Sequence, residues 1–179
     1  MKAAFRGREA RPASWQWNVA KTLAQTVVFW AVFLFLLPAG LLAVESGLGL
    51  DRWRFAAGGW EAAGVALFVL GGALGLTSGV LMAVCGGGTP LPAACARELV
   101  LIGPYCYIRN PMAVAGLAQG VAVGLFLGSP AVVLYALAGG PIWHVFVRPW
   151  EEADLEQRFG DPYRRYRERV RCWVPRIPR

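Results

Sequence analysis

Three long stretches of this chain carry no charged side chain, and they determine its class. Residues 22–44 and 62–96 contain no Asp, Glu, Lys or Arg, and residues 110–147 contain only His144, counted as neutral. The hydrocarbon core of a bilayer is about 30 Å thick, and a helix needs about 20 apolar residues to cross it. Each stretch can span a membrane, and the last is long enough for two helices. The pattern therefore predicts an all-α integral membrane protein.

Turn and capping residues divide these stretches into about four transmembrane helices within a single membrane domain, residues 1–179. Gly128, Ser129 and Pro130 predict a tight turn between the last two helices. Asn110 followed by Pro111 predicts the start of the third helix, because Asn favours the N-cap and Pro the first helical position. The predicted spans are residues 24–44, 62–84, 111–127 and 131–147.

Small residues and proline indicate how the first two spans pack and bend. Gly71, Gly75 and Gly79 recur every four residues on one face of the second span, a stripe that favours close helix packing. Pro38, near the end of the first span, predicts a kink.

The C-terminal tail, residues 148–179, differs from the rest because charged side chains separate its apolar positions. Those positions recur every three or four residues: Leu155, Phe159, Tyr163, Tyr166 and Val170. Gly160 predicts the end of one helix, and Asp161 followed by Pro162 predicts the start of another. We expect an amphipathic pair at the membrane face, serving as a surface anchor or as part of a site.

The distribution of charge predicts topology rather than binding to nucleic acid. The net charge is +7, but basic residues that flank apolar spans are typical of membrane topology. The first 21 residues contain five basic side chains and one acidic, a net charge of +4. Residues 45–61 contain two basic and three acidic side chains, a net charge of −1. Positive ends and a negative first loop predict that both termini lie in the cytoplasm.

The four cysteines are predicted to be free thiols. Cys85, Cys95, Cys106 and Cys172 all fall at or near the predicted cytoplasmic side, where disulfides are rare. Their spacings match no zinc pattern, so no metal site is predicted.

The start of the third helix predicts an anion site. A helix N-terminus offers unpaired N–H groups and the positive end of the helix dipole, and Arg109 lies beside it. Such a site suits a carboxylate or a phosphate. The alternative is that Arg109 extends to a lipid phosphate.

The end of the fourth span carries further candidates. His144 precedes Arg148 by four residues and Glu151 by seven, which places the three near one helix face. Glu151 and Glu152, just past the apolar stretch, could together hold an ammonium group and a ribose diol. The alternative is an Arg148–Glu152 pair that ends the helix. His144 is either an interfacial hydrogen-bonding residue or a ligand-binding or catalytic residue.

Aromatic residues gather at the same boundary. Tyr105, Tyr107, Trp143 and Trp150 are ordinarily explained by the aromatic belt of a membrane interface. A cationic sulfonium or quaternary amine would also favour such rings. An anion site, a carboxylate pair and aromatic walls make S-adenosylmethionine one candidate among several amphiphilic ligands.

An ordered set of short motifs resembles one enzyme superfamily. The motifs are Gly-Pro-Tyr-x-Tyr-Ile-Arg-Asn-Pro-Met at 103–112, Glu-Glu-x-x-Leu at 151–155, Phe-Gly-x-x-Tyr-x-x-Tyr at 159–166 and Val-Pro-Arg-x-Pro at 174–178. Together they resemble the isoprenylcysteine carboxyl methyltransferase and phospholipid methyltransferase superfamily. The resemblance covers residues 86–178, about half of the chain.

This resemblance implies an integral membrane methyltransferase that uses S-adenosylmethionine and acts on a lipophilic acceptor. It also implies a bacterial-type member, and hence the bacterial inner membrane. Catalytic roles are expected for His144 and Arg148. Cofactor-binding roles are expected for Gly103, Pro104, Tyr105, Tyr107, Arg109, Asn110, Pro111, Glu151 and Glu152.

Two departures from the family pattern affect the acceptor side of the pocket. Ala113 stands where members often have an aromatic residue, and Cys106 where they often have a basic one. Both a carboxyl and an amino acceptor remain open, with Arg148 positioning an anionic acceptor or His144 taking a proton from an amine. The alternative function is a non-catalytic lipid-binding or assembly protein on the same scaffold. A small transporter is disfavoured because no span contains a charged residue.

Overall fold

The computed structural model of this protein describes residues 7–55 and 58–175. Lys2 and Arg6 of the basic N-terminal segment, and residues 176–179 of the predicted tail, lie outside the described residues. The helices in chain order are α1 (Trp15–Gly47), α2 (Trp60–Cys85), α3 (Pro111–Phe126), α4 (Pro130–Phe159) and α5 (Asp161–Arg169). Over the described ranges, β structure is limited to isolated bridges at Cys95, which confirms the predicted all-α class.

Four of these helices form the membrane part. By length and composition α1, α2 and α4 can each cross a membrane, whereas α3 is apolar but shorter. The 16 residues of α3 cover only about 24 Å at 1.5 Å per residue. The protein is therefore an integral membrane protein in which one helix is too short to cross a full bilayer on its own.

Both α1 and α4 extend beyond the predicted spans, and each contains a π-helical turn shortly before a proline. Ala31–Leu36 precedes Pro38 in α1, and Trp143–Val147 precedes Pro149 in α4. Proline lacks an N–H, and its ring clashes with the carbonyl four residues earlier in a regular helix. A wider π turn accommodates both. The expected end of the fourth helix near residue 147 is therefore corrected, because the helix continues to Phe159.

The predicted glycine stripe of α2 is a packing surface. A Cβ on Gly71 would lie 3.2 Å from the carbonyl oxygen of Ala115 in α3, and one on Gly75 would lie 3.2 Å from the Cβ of the same alanine. The third glycine, Gly79, faces Thr22 of α1, where an added Cβ would lie 3.1 Å from the threonine methyl group. Small residues therefore allow α2 to approach α3 and α1 closely.

A buried polar cluster joins α1 to the turn between α3 and α4. Gly128 adopts a φ of +64°, and the Ser129 hydroxyl caps α4 by accepting from the Val132 N–H at 3.2 Å. The same hydroxyl donates to the buried carboxylate of Glu45 at 2.7 Å. Arg54 Nε lies 3.6 Å from the second oxygen of that carboxylate. This cluster holds α1 and α4, the first and last membrane helices, together.

The C-terminal tail packs against the protein. A buried cluster combines its apolar positions with one residue from the loop before α3: Tyr163, Tyr166 and Val170, with Leu99, Leu155 and Phe159 packed against them. Gly160, with a φ of +58°, separates α4 from α5. The tail is therefore more than a surface anchor, since its apolar face forms a small core with that loop.

Candidate functional site

The site forms where the start of α3 meets the second half of α4. Asn110 Oδ1 accepts from the Ala113 N–H at 3.0 Å, and Pro111 occupies the first turn, as the sequence predicts. Asn110 Nδ2 also donates to Glu151 Oε2 at 3.1 Å. One side chain therefore both begins α3 and links it to α4.

Glu152 is the centre of an ionic network. Its Oε1 accepts from Arg109 Nη1 and from Arg148 Nε, each at 2.7 Å. The side chains of Arg109 and Glu152 are 11% and 18% exposed, so water screens this pair weakly. The Nε of Arg109 is buried and has no hydrogen-bond partner within the described parts of the chain. That N–H group can therefore donate to a bound ligand.

His144 and Arg148 lie one turn apart on α4, and the tail contacts His144 through Trp173, a residue that the sequence did not single out. Arg148 Nη1 lies 2.9 Å from His144 Nε2. The indole N–H of Trp173 donates to His144 Nδ1 at 2.8 Å, and its ring packs edge-on against Trp143 with 5.1 Å between centroids. The imidazole orientation is therefore fixed from two sides.

Gly103, Pro104 and Tyr105 form a short 3-10 turn that holds the loop before α3 against α2. The buried Tyr105 donates its hydroxyl to the Ser78 carbonyl at 3.2 Å. Gly103 has a φ of +58°, a backbone conformation that residues with a Cβ rarely adopt, so a substitution there would be strained. The Tyr107 side chain is 47% exposed. Cofactor contacts of these four residues stay predictions.

Two tail tyrosines also belong to the site. Tyr166 donates its hydroxyl to the Tyr105 carbonyl at 2.7 Å, and Tyr163, which is 2% exposed, lies close to Arg109. Burial, followed by the negative charge of Glu152, raises the pKa of Tyr163 to about 12. Its hydroxyl therefore remains protonated at neutral pH. The tail periodicity identified both tyrosines as apolar-face positions, but it carried no signal for their polar partners.

A cavity of about 80 Å³ lies between the tail and the loop before α3. Its lining includes Leu99, Tyr105, Arg109, Leu155, Tyr163 and Tyr166. The walls are mostly aromatic and apolar and also include the Arg109 guanidinium and the Glu98 carboxylate, so they suit a ligand that combines charged groups with a flat or apolar part. Across residues 7–55 and 58–175, no group of three or more His, Cys, Asp or Glu side chains could hold a metal ion.

Known proteins resemble this chain in sequence and in fold. A family model described as phospholipid methyltransferase matches residues 60–162. The protein-S-isoprenylcysteine O-methyltransferase of Schizosaccharomyces pombe is 34% identical over 83 residues, which are 45% of this chain and 34% of that protein. A solved structure of a eukaryotic intramembrane Ras methyltransferase, isoprenylcysteine carboxyl methyltransferase, shares the fold with a TM-score of 0.54 at 22% identity. That match covers 93% of this chain and 55% of the other. This chain thus spans about a third and about half of the lengths of these two proteins.

Proposed function

Because this chain belongs to the phospholipid methyltransferase family, we propose that it is a membrane enzyme that transfers a methyl group from S-adenosylmethionine to a lipophilic acceptor. The network that joins Arg109, Asn110, Glu151 and Glu152 supports this function most directly. It places cationic, amide and anionic groups side by side at one end of the helix bundle. A donor that carries a carboxylate and an ammonium group needs that combination.

The residues present fit the chemistry of this donor. The unpaired N–H of Arg109 can bind the donor carboxylate. The Glu151 carboxylate, with one hydrogen bond to Asn110, has acceptor positions left for an ammonium group or a ribose hydroxyl. The cavity beside Arg109, about 80 Å³, is smaller than a nucleoside, so it suits one end of the donor only.

The chain's own contribution is mainly alignment and exclusion of water. When bound, the donor supplies a methyl group on a positively charged sulfur, and this charge disappears as the group is transferred. A carboxylate acceptor therefore needs no base from the protein, only correct placement. Arg148 is 27% exposed and shares Glu152 with Arg109, so it is placed to orient an anionic acceptor.

The surroundings of His144 favour a carboxylate acceptor over an amine. Trp173 donates to Nδ1, and an Arg148 N–H group lies against Nε2. A neutral imidazole has a single lone-pair nitrogen, so a histidine that accepts from Trp173 at Nδ1 carries its proton on Nε2. Neither nitrogen is then open to receive a proton from an amine. An amine acceptor would require one of these contacts to break before His144 could act as a base.

The apolar surface around the site supports a lipophilic acceptor. Near His144, the side chains of Val145, Phe146 and Trp150 are 60%, 61% and 60% exposed. A hydrocarbon chain in the bilayer can lie along this surface while its polar end reaches Arg148. The basic N-terminal segment supports a cytoplasmic position for the site and both termini, and the resemblance to bacterial members supports the inner membrane.

Calorimetric titration of the detergent-purified protein with S-adenosylmethionine and with its demethylated product tests this function. We expect wild type to bind both and the double variant Glu151→Gln/Glu152→Gln to lose about a hundredfold in affinity, because two charge-assisted contacts disappear. Glu168→Gln, at an exposed position of α5, is the matched control and should bind as wild type. Absence of binding by folded wild type, in detergent and in lipid nanodiscs, would reject the enzyme and favour a non-catalytic lipid-binding protein.

A further inference from the structure

Residues 7–10, here called the N-terminal strap, pair with a loop that is distant in sequence. The Cys95 N–H donates to the Arg8 carbonyl at 2.9 Å, and the Ala10 N–H donates to the Cys95 carbonyl at 3.1 Å. Ala10 is buried, with 7% of its surface exposed. The strap therefore docks through backbone hydrogen bonds beside the loop that precedes the Gly-Pro-Tyr turn.

The first residue of the strap also contacts α4. The Gly7 N–H donates to Asp154 Oδ1 at 3.0 Å, and Asp154 Oδ2 pairs with Arg158 at 3.3 Å. The side chains of this ion pair are only 10% and 11% exposed. A Cβ on Gly7 would lie 2.5 Å from Cys95 Sγ and 3.2 Å from Asp154 Oδ2. A larger residue at this position would therefore have to displace the Cys95 thiol or the Asp154 carboxylate.

Both partners of the strap adjoin the candidate donor site. Arg158 donates to the Ala96 carbonyl, and Ala96, Glu98 and Leu99 form part of the wall of the cavity beside Arg109. Asp154 lies three residues after Glu151 on α4. The strap is thus connected to the cavity wall through Asp154, Arg158 and Ala96. Through Asp154 it also lies about one helical turn from Glu151, the proposed donor-binding carboxylate.

We propose that the N-terminal strap is a positioning element for donor binding: it holds the loop carrying Ala96 against α4 and so keeps the wall of the cavity in place. This inference rests on the proposed function, since it concerns the affinity of the same site for S-adenosylmethionine. Within the described residues, the hydrogen bonds and the ion pair of the strap go to Cys95, Asp154 and Arg97, and none of these is assigned to the reaction. Their loss should therefore raise the KM for the donor and leave kcat largely unchanged.

Gly7→Val tests the strap by filling the space that Cys95 and Asp154 leave for a glycine. A matched control is Gly40→Val on α1, where an added Cβ meets nothing within 4 Å. Ala10→Pro is a second variant, because it removes the N–H that donates to Cys95 without adding bulk beside α4. Melting temperature establishes that each variant is folded, and Ala10→Pro carries the test if Gly7→Val does not fold.

Two quantities are measured on each protein: donor affinity by calorimetry, and the rate of Cys95 alkylation by a maleimide, mapped by mass spectrometry. Cys85, which is exposed, is the internal reference. We expect Gly7→Val and Ala10→Pro to weaken donor binding about tenfold, the loss of one or two hydrogen bonds, and to speed Cys95 alkylation. Gly40→Val should match wild type in both.

The possible results separate the strap from the function on which it depends. Faster alkylation of Cys95 with donor affinity equal to wild type would overturn the positioning role while leaving the methyltransferase intact. Unchanged alkylation and unchanged affinity in both strap variants would also overturn it. Absence of donor binding by wild type itself would overturn the proposed function and the role of the strap together.

Discussion

At the scale of single residues, Asn110 both caps α3 and contacts a residue of the candidate site. Its side-chain oxygen caps α3 through Ala113, and its side-chain nitrogen donates to Glu151. An aspartate could perform the first task but not the second, because a carboxylate has no N–H to donate. The requirement for an amide at this position therefore comes from the site and not from the helix.

Replacing Asn110 with Asp or with Ala should separate these two tasks. Asn110→Asp keeps a good cap but sets a carboxylate against Glu151, so we expect a nearly unchanged melting temperature and about tenfold weaker donor binding. Asn110→Ala should weaken binding and also lower stability by about 1 kcal/mol. Thermal unfolding and calorimetry measure the two effects. Donor binding by Asn110→Asp at wild-type strength would show that the Glu151 contact is dispensable.

Local sequence signals predicted part of this site. The cap and proline at 110–111 predicted the start of α3, and the helical spacing predicted the contact between His144 and Arg148, because both are properties of one or two turns of helix. Glu151, expected near the same helix face, instead accepts from Asn110. Trp173 lies past the end of α5, where periodicity carries no information. Its bond to His144 depends on how the tail folds back over α4, which no local pattern specifies.

At the scale of elements, the π turns decide where the helices point their side chains. A π turn accommodates about one extra residue, and one residue corresponds to about 100° of rotation in an α-helix. In α4 the π turn Trp143–Val147 lies between the apolar part of the helix and Glu151. It therefore sets which face of the later part of α4 meets Arg109.

Pro149→Ala should allow α4 to return to a regular helix and turn its two glutamates away from Arg109. We expect donor affinity to fall about tenfold or more, because the contacts of the two glutamates with Arg109 and Asn110 are lost. Pro38→Ala is the matched control, with the same change after the π turn of α1. Calorimetry should show control binding equal to wild type, whereas full binding by Pro149→Ala would remove any role for the π turn.

Helix existence was predictable from composition, but the end of α4 was not. The charged residues from Arg148 onward are typical of a chain that leaves the membrane, so the predicted span ends at residue 147. The structure continues the helix because the π turn absorbs Pro149 and because Leu155 and Phe159 pack on the tail. Both reasons depend on tertiary contacts that the pattern of one segment does not contain.

At the scale of the whole molecule, the polar contacts concentrate at the two ends of the helix bundle. One end carries the arginines and glutamates of the candidate site, and the other carries Glu45, Arg54 and Ser129. Between them α2 and α3 meet through glycine and alanine. Stability and function are therefore expected to respond to changes at opposite ends.

Ser129→Ala should destabilise the protein without affecting the site. The variant loses the cap of α4, about 1 kcal/mol, and leaves the buried Glu45 short of a donor, about 1–3 kcal/mol more. Ser14→Ala is the control, since Ser14 caps α1 at an exposed position with no buried carboxylate. Unfolding in denaturing detergent measures both, and donor affinity should stay at the wild-type value. Equal losses of stability in the two variants would mean that the contact between Ser129 and Glu45 does not stabilise the protein.

The hydrogen bond between Glu45 and Ser129 also has a consequence for the synthesis of the protein. Its two residues are 84 positions apart, so at about 5–20 residues per second the ribosome needs about 4–17 seconds to deliver the second. During that time α1 must hold a carboxylate at its end without its final partner. Arg54 is made soon after Glu45 and can neutralise it in the interval. The ribosome thus delivers the positive charge of Arg54 first and the hydroxyl of Ser129 later, when α4 can pack against α1.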